Sequence, residues 1–232
     1  MERSTGSMGS QYTTYRFFPD DIPRLAKLDW SSIARRVFID PATGLIALMT
    51  PSSRHETHAW GAGRAVHDTA RHAGMRAIAL GATRWPLPGD PENTGAEPDA
   101  CYYLGENAEG WTRARQKGEA ELDAFERRTP PDLVIEVERS RDDARKPLFY
   151  RRLGVPEMWR IDVSGNTREA AMLNLQAAGG PEAMTASAVL PPADPVFVLE
   201  AMELAVEGRL DELDALILER LRRQPDTPGA DT

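Results

Sequence analysis

Two glutamates on an otherwise apolar segment, PDLVIEVE (131–138), are the residues of this 232-residue chain whose type and spacing first suggest chemistry. Side chains alternate along a strand, so Leu133, Ile135 and Val137 share one face while Val134, Glu136 and Glu138 share the other. Two carboxylates on such a strand are costly unless something satisfies them. The plain structural reading is an edge strand with a wet face, or an arginine that pairs with them. The next segment, SRDDARKPLFYRRLG (140–154), reads as a helix that places Lys146 and Tyr150 one turn apart on the same side and ends at Gly154. Asp142 or Asp143 suits the N-cap, which leaves Pro147 in the first turn, where proline is tolerated. A strand ending in carboxylates, followed by a helix that turns a lysine back toward them, suits a metal ion and a phosphate. Residues 139–160 hold seven Lys or Arg against three acids, a local basic patch.

The elements that must position these groups follow from pattern and punctuation. RVFID (36–40), a PATG turn and LIALM (45–49) form a hairpin. A helix spans about 53–72, with Ser52 or Ser53 as N-cap, Glu56 in the first turn and Gly74 at the close. MRAIALGA (75–82) and ACYYL (100–104) read as strands, the second entered through Glu97-Pro98-Asp99. Residues 105–129 are highly charged and read as a solvated helix or an inserted arm. EMWRIDV (157–163), residues 167–176 and a run near 183–190 read as further strands. The chain then ends in a helix with Leu210, Leu213, Ile217 and Leu221 on one face. The strand–helix–strand unit with hairpins around it predicts an α/β (α+β) fold: a mixed sheet flanked by helices, with an N-terminal hairpin and a C-terminal helix. Composition predicts loose ends at 1–20 and 224–232 around one domain over 21–223.

Composition narrows the function classes. Net charge is −8 and 28% of residues are charged, so a broad cationic nucleic-acid surface is excluded and any such role must rest on a local patch plus a metal. No apolar run is long enough for a bilayer, and MERSTGSMGS is not a secretory signal. The single cysteine, Cys101, fits a reducing cytoplasm and excludes a disulfide framework.

Taken in order, LMTPSSRHE, EPDACYYL, PPDLVIEVERS, KPLFYRRLGVPEMW and Asp162 resemble the Uma-two family of restriction-endonuclease-like proteins, within the PD-(D/E)XK nuclease superfamily. The resemblance covers roughly residues 30–200. It implies a restriction-endonuclease-like core, hydrolysis of DNA phosphodiester bonds, and Mg²⁺ or Mn²⁺ as cofactor. By the same resemblance Asp99 and Glu136 would ligate the ion together with the Val137 backbone carbonyl, and Glu56 would touch it through water. Lys146 would orient the attacking water or the phosphate, and a homodimer would cut both strands. The lysine slot two residues after Glu136 is instead Glu138, an assisting acid that leaves more weight on Lys146. Three carboxylates (Asp99, Glu136, Glu138) within ~5 Å would repel by roughly 3 kcal/mol per pair at an effective dielectric of 20, which favours a cation among them.

The remaining candidates have bland readings. His55 and His58 are three apart, unlike a zinc-protease pair, and suit capping or solvent exposure. Gly61 and Gly63 suit close helix packing, and Cys101 a small buried hydrophobe. Trp85 and Trp111 could stack on bases, although ordinary packing explains them as well. Asp132 suits strand entry. The alternative to an enzyme is a catalytically silent nuclease-fold module that binds DNA or protein, which the overall acidity favours.

Overall fold

The computed structural model describes residues 11–28, 36–50, 52–89, 94–138, 145–164 and 167–223. They fall into two units, residues 1–57 with 84–97, and residues 58–83 with 98–232.

The first unit begins with strand β1 (Gln11–Arg16) and a short helix α1 (Ile22–Leu25), followed by β2 (Arg36–Asp40) and β3 (Leu45–Thr50). The three strands form an antiparallel sheet in the order β1-β3-β2. Its hairpin turn is specified locally. The Asp40 carboxylate accepts from the Ala42 N–H at 3.2 Å and from Thr43 Oγ1 at 3.1 Å, and Gly44 closes the turn at φ 66°. A side chain at Gly44 would also collide with the Phe17 carbonyl. Ile22, Ile39, Ile46 and Leu48 make the small core of this unit. Residues 11–16, which composition assigns to a loose N-terminus, are therefore an edge strand whose order comes from pairing with β3. Trp85 is buried in the same unit and bridges Ala96, so it packs and does not offer a stacking surface.

Helix α2 (Ser53–His72) follows, with the Ser52 hydroxyl accepting from the His55 N–H at 3.2 Å as a side-chain cap. Its residues from 58 onward belong to the second unit. That unit continues with β4 (Ala77–Ala79), β5 (Ala100–Leu104), α3 (Gly105–Lys117), α4 (Glu119–Arg128), β6 (Leu133–Glu138), α5 (Arg145–Leu153), β7 (Glu157–Asp162), β8 (Glu169–Asn174), β9 (Glu182–Met184), α6 (Pro195–Val206) and α7 (Leu210–Arg222). The strands form one six-stranded sheet in sequence order. Every neighbouring pair is antiparallel except β6 and β7, which are parallel and joined through α5.

Alternation sorts the central strands as the sequence predicts. Leu133, Ile135 and Val137 of β6, with Trp159 and Ile161 of β7, join the main core beneath α2, α6 and α7. Gly61 lets α2 approach α6: a Cβ there would stand 2.7 Å from Val206 Cγ2 and 2.9 Å from the Met202 carbonyl oxygen. Gly63 lets α2 meet β5, where the Tyr102 hydroxyl donates to the Gly63 carbonyl at 2.8 Å.

Two sequence expectations change here. The charged stretch 105–129 is a pair of helices, α3 and α4. Trp111 Nε1 donates to Glu126 at 2.8 Å, and Phe125 meets Tyr103 edge-on at 5.4 Å, so its few aromatics fasten it together and to the sheet. The C-terminal segment is two helices because Gly208 takes φ 73° between them. Leu213 and Ile217 are buried, whereas Leu210, at the start of α7, is exposed. Asp132 behaves as a strand-entry residue, its carboxylate accepting from the Leu104 N–H at 2.8 Å and from Asn107 Nδ2 at 2.7 Å.

Candidate active site

Ala100 of β5 pairs with Ile135 of β6, so Asp99 and Glu136 each stand one residue beyond the last pair, on adjacent strands. Asp99 grips both neighbours of Glu136. Its N–H donates to the Ile135 carbonyl at 3.0 Å, and its Oδ2 accepts from the Val137 N–H at 2.6 Å. The carboxylate thus takes over a ladder hydrogen bond where the strand pairing runs out. Asp99 is 7% exposed and Glu136 1%.

Helix α5 supplies the partners of Glu136. Lys146 Nζ donates to Oε2 at 2.5 Å, and the Tyr150 hydroxyl donates to Oε1 at 2.6 Å. Both side chains are buried, and their four-residue spacing puts them on one side of the helix as the sequence predicts. Pro147 sits in the first turn; Asp142 and Asp143, the N-cap candidates, lie outside the described residues. Two donors, one on each oxygen, lock the Glu136 carboxylate in orientation and neutralise its charge.

Glu138 lies two residues further on the same face. Its Oε2 accepts from Arg160 Nη2 at 2.7 Å. Burial pushes the Glu138 carboxyl above the ordinary glutamate range, the nearby Lys146 and Arg160 pull it back down, and Glu136 pushes it up. Glu56 is in the first turn of α2, in the other unit, with a half-exposed carboxylate 3.5 Å from His55 Nδ1.

Asp99, Glu136, Glu138 and Lys146 are therefore gathered in one unit. Among the described residues, no group of three or more His, Cys, Asp or Glu side chains is arranged to hold a metal ion. The donors at the end of β5 and β6 nonetheless fit a hard cation: two carboxylates more than nine-tenths buried, with the Val137 main chain between them. Lys146 supplies the counter-charge that such an ion would bring.

Two residues with no assigned role in the sequence reading belong to this site. Tyr150 was legible as the helix partner of Lys146, and its hydroxyl completes the hold on Glu136. Arg160 was signalled by the need of a strand acid for an arginine, and by alternation along EMWRID. The histidine reading is corrected. His55 and His58 are 1% and 4% exposed rather than solvated, and His58 Nε2 is 3.9 Å from Glu203 Oε1. Cys101 is buried, its thiol donating to the Gly81 carbonyl at 3.3 Å.

A mixed sheet with one parallel pair, carrying acids at its centre and a lysine on the crossover helix, has the architecture of the restriction-endonuclease-like class. The profile of the Uma2 family, described as "Putative restriction endonuclease", matches residues 35–204, and the chain belongs to that family. No curated protein matches the chain. No described helix is long and apolar enough to cross a membrane.

Proposed function

We propose that the chain is a divalent-metal-dependent endonuclease that hydrolyses DNA phosphodiester bonds in the cytoplasm, working as a homodimer so that each copy faces one strand of a duplex. The observation that carries this reading is the convergence of three groups. Asp99, just before β5, stands beside Glu136 of the adjacent β6, and Lys146 reaches Glu136 from the crossover helix. Membership of a family described as "Putative restriction endonuclease" supports it.

Mg²⁺ or Mn²⁺ held by Asp99, Glu136 and the Val137 carbonyl would acidify a water molecule and neutralise charge on the scissile phosphate. The chain's own groups do the positioning. Tyr150 fixes the orientation of the Glu136 carboxylate, and Asp99 holds the end of β6 through the Val137 N–H. Lys146 keeps a positive charge beside Glu136, where it can turn to a phosphate oxygen or to the attacking water. The low exposure of all three removes bulk water, which strengthens each charge interaction.

Cleavage of plasmid DNA tests the reading, with wild type compared with Asp99→Asn and Glu136→Gln. Glu136→Ala is a poor probe, because it would strand the buried Lys146 amine and the Tyr150 hydroxyl; Gln keeps an acceptor oxygen for the Lys146 amine and an amide N–H that can donate to the Tyr150 hydroxyl oxygen. Cleavage that needs Mg²⁺ or Mn²⁺, stops with chelator and falls at least 100-fold in both variants supports the reading. Metal-independent cleavage, or full activity in both variants, overturns the site. The second reading, a silent nuclease-fold module, is favoured by the direct Lys146–Glu136 pair, and DNA binding without cleavage in either metal would establish it.

A further inference from the structure

We infer that Arg160 is a phosphate-binding residue of this site and that Glu138 is the positioning residue that holds it there, a proposal that rests on the nuclease reading above. In the parallel pairing of β6 with β7, Glu136 stands opposite Arg160 and Glu138 opposite Asp162. Side chains in register on parallel neighbours share a face, about 4.8 Å apart. Arg160 therefore lies on the face that Lys146 approaches, directly beside Glu136.

The two cations differ in depth. Lys146 keeps 10% of its side-chain surface, and its amine is bonded to Glu136. Arg160 keeps 27%. An anion approaching the acid pair from solvent would thus meet the guanidinium before the amine. The ligand this fits is a non-bridging oxygen pair of a nucleic-acid phosphodiester, because a planar fork of N–H groups matches two phosphate oxygens where an ammonium gives only a point charge.

Glu138 makes the position precise. Arg160 is on a central strand, paired with Glu136 on one side and Ala171 on the other, so its backbone is fixed by two ladders. Its long side chain is then restrained by Glu138, which is 11% exposed in its side chain and bonded at 2.7 Å. This accounts for an acid two residues after Glu136. Its carboxylate is directed to Arg160, where it serves as a brace rather than as a further ligand for a cation.

The experiment is fluorescence anisotropy with a labelled duplex in Ca²⁺ across a salt series, together with Mn²⁺ binding to the protein alone. The proteins are wild type, Arg160→Gln, Glu138→Gln and the charge-swapped Glu138→Arg/Arg160→Glu. Arg160→Gln should weaken duplex binding about tenfold and lower the salt slope by about one, with Mn²⁺ binding unchanged. Glu138→Gln should weaken duplex binding less, again without moving Mn²⁺ binding. The swap should recover the melting temperature but not duplex binding. Unchanged affinity and slope in Arg160→Gln, or binding restored by the swap, overturns the role of Arg160. Weaker Mn²⁺ binding in Glu138→Gln overturns the brace and makes Glu138 a ligand. Wild type that binds no duplex overturns the nuclease reading itself, and this inference with it.

Discussion

The Tyr150 hydroxyl donates to Glu136 Oε1 at 2.6 Å while Lys146 holds the other oxygen of the same carboxylate. A glutamate 1% exposed is thereby given a fixed orientation instead of a choice of rotamers. Tyr150→Phe keeps the ring and removes only the donor. It should cost about 1.5–3 kcal/mol, the usual worth of a hydrogen bond to a charged group, in the urea unfolding free energy. A loss below a few tenths of a kcal/mol would mean that the hydroxyl does not restrain Glu136.

Breaking the buried ion pair from the other side should cost more. Lys146→Met leaves Glu136 without its counter-charge, and removal of one partner of such a pair costs about 3–5 kcal/mol. The double variant Glu136→Gln/Lys146→Met should recover much of that loss, because neither charge is then stranded. Chemical denaturation of the four proteins gives the coupling energy directly, and additivity of the two single changes would show that the pair is not coupled.

Gly61→Ala tests the contact between α2 and α6. The new methyl would stand 2.7 Å from Val206 Cγ2, a side chain that can shift, and 2.9 Å from the Met202 carbonyl oxygen, which cannot shift easily. Destabilisation of about 1–3 kcal/mol is expected, as for other overpacked positions, although alanine is the better helix former. A raised melting temperature would show that the helices can separate without cost.

Asp132 gives the protein a pH-dependent stability. Burial raises its carboxyl above the ordinary aspartate range, and the bonds from Leu104 and Asn107 only partly offset this. A raised native pKa means that the folded state keeps its proton longer than the unfolded chain does. The contribution of Asp132 to stability therefore falls as pH rises through the window that opens at the usual aspartate pKa and extends upward to the native value. The unfolding free energy of wild type relative to Asp132→Asn should decline as pH rises above about 4, as read from paired urea titrations. A difference that rises instead would reverse the sign of the shift.

Much of the site was legible because its signals are local. Lys146 and Tyr150 are four residues apart, so helical geometry alone puts them on one side. The alternation in LVIEVE sorted the core face from the acid face, and Ser52 and Gly74 bracket α2 by cap chemistry. What was missed depends on partners distant in sequence. His55 and His58 look like surface polar residues until their helix is packed. β1 has no order of its own without β3. The break between α6 and α7 was hidden because the leucine spacing runs on past Gly208, and only a left-handed glycine ends the first helix. The partner of Glu138 was named in the sequence only as some arginine. The parallel register that selects Arg160 appears only once β6 and β7 are side by side.

The single parallel pair in the sheet has a further consequence. Two strands that run the same way cannot be joined by a tight turn, so the polypeptide must leave the sheet after Glu138 and return at Glu157. The Lys146 amine reaches Glu136 from that detour instead of from a strand, so β6 need not itself carry the cation that its buried acid requires. Position 138 is thus released from carrying a cation, and an acid there can bridge the two parallel strands to Arg160.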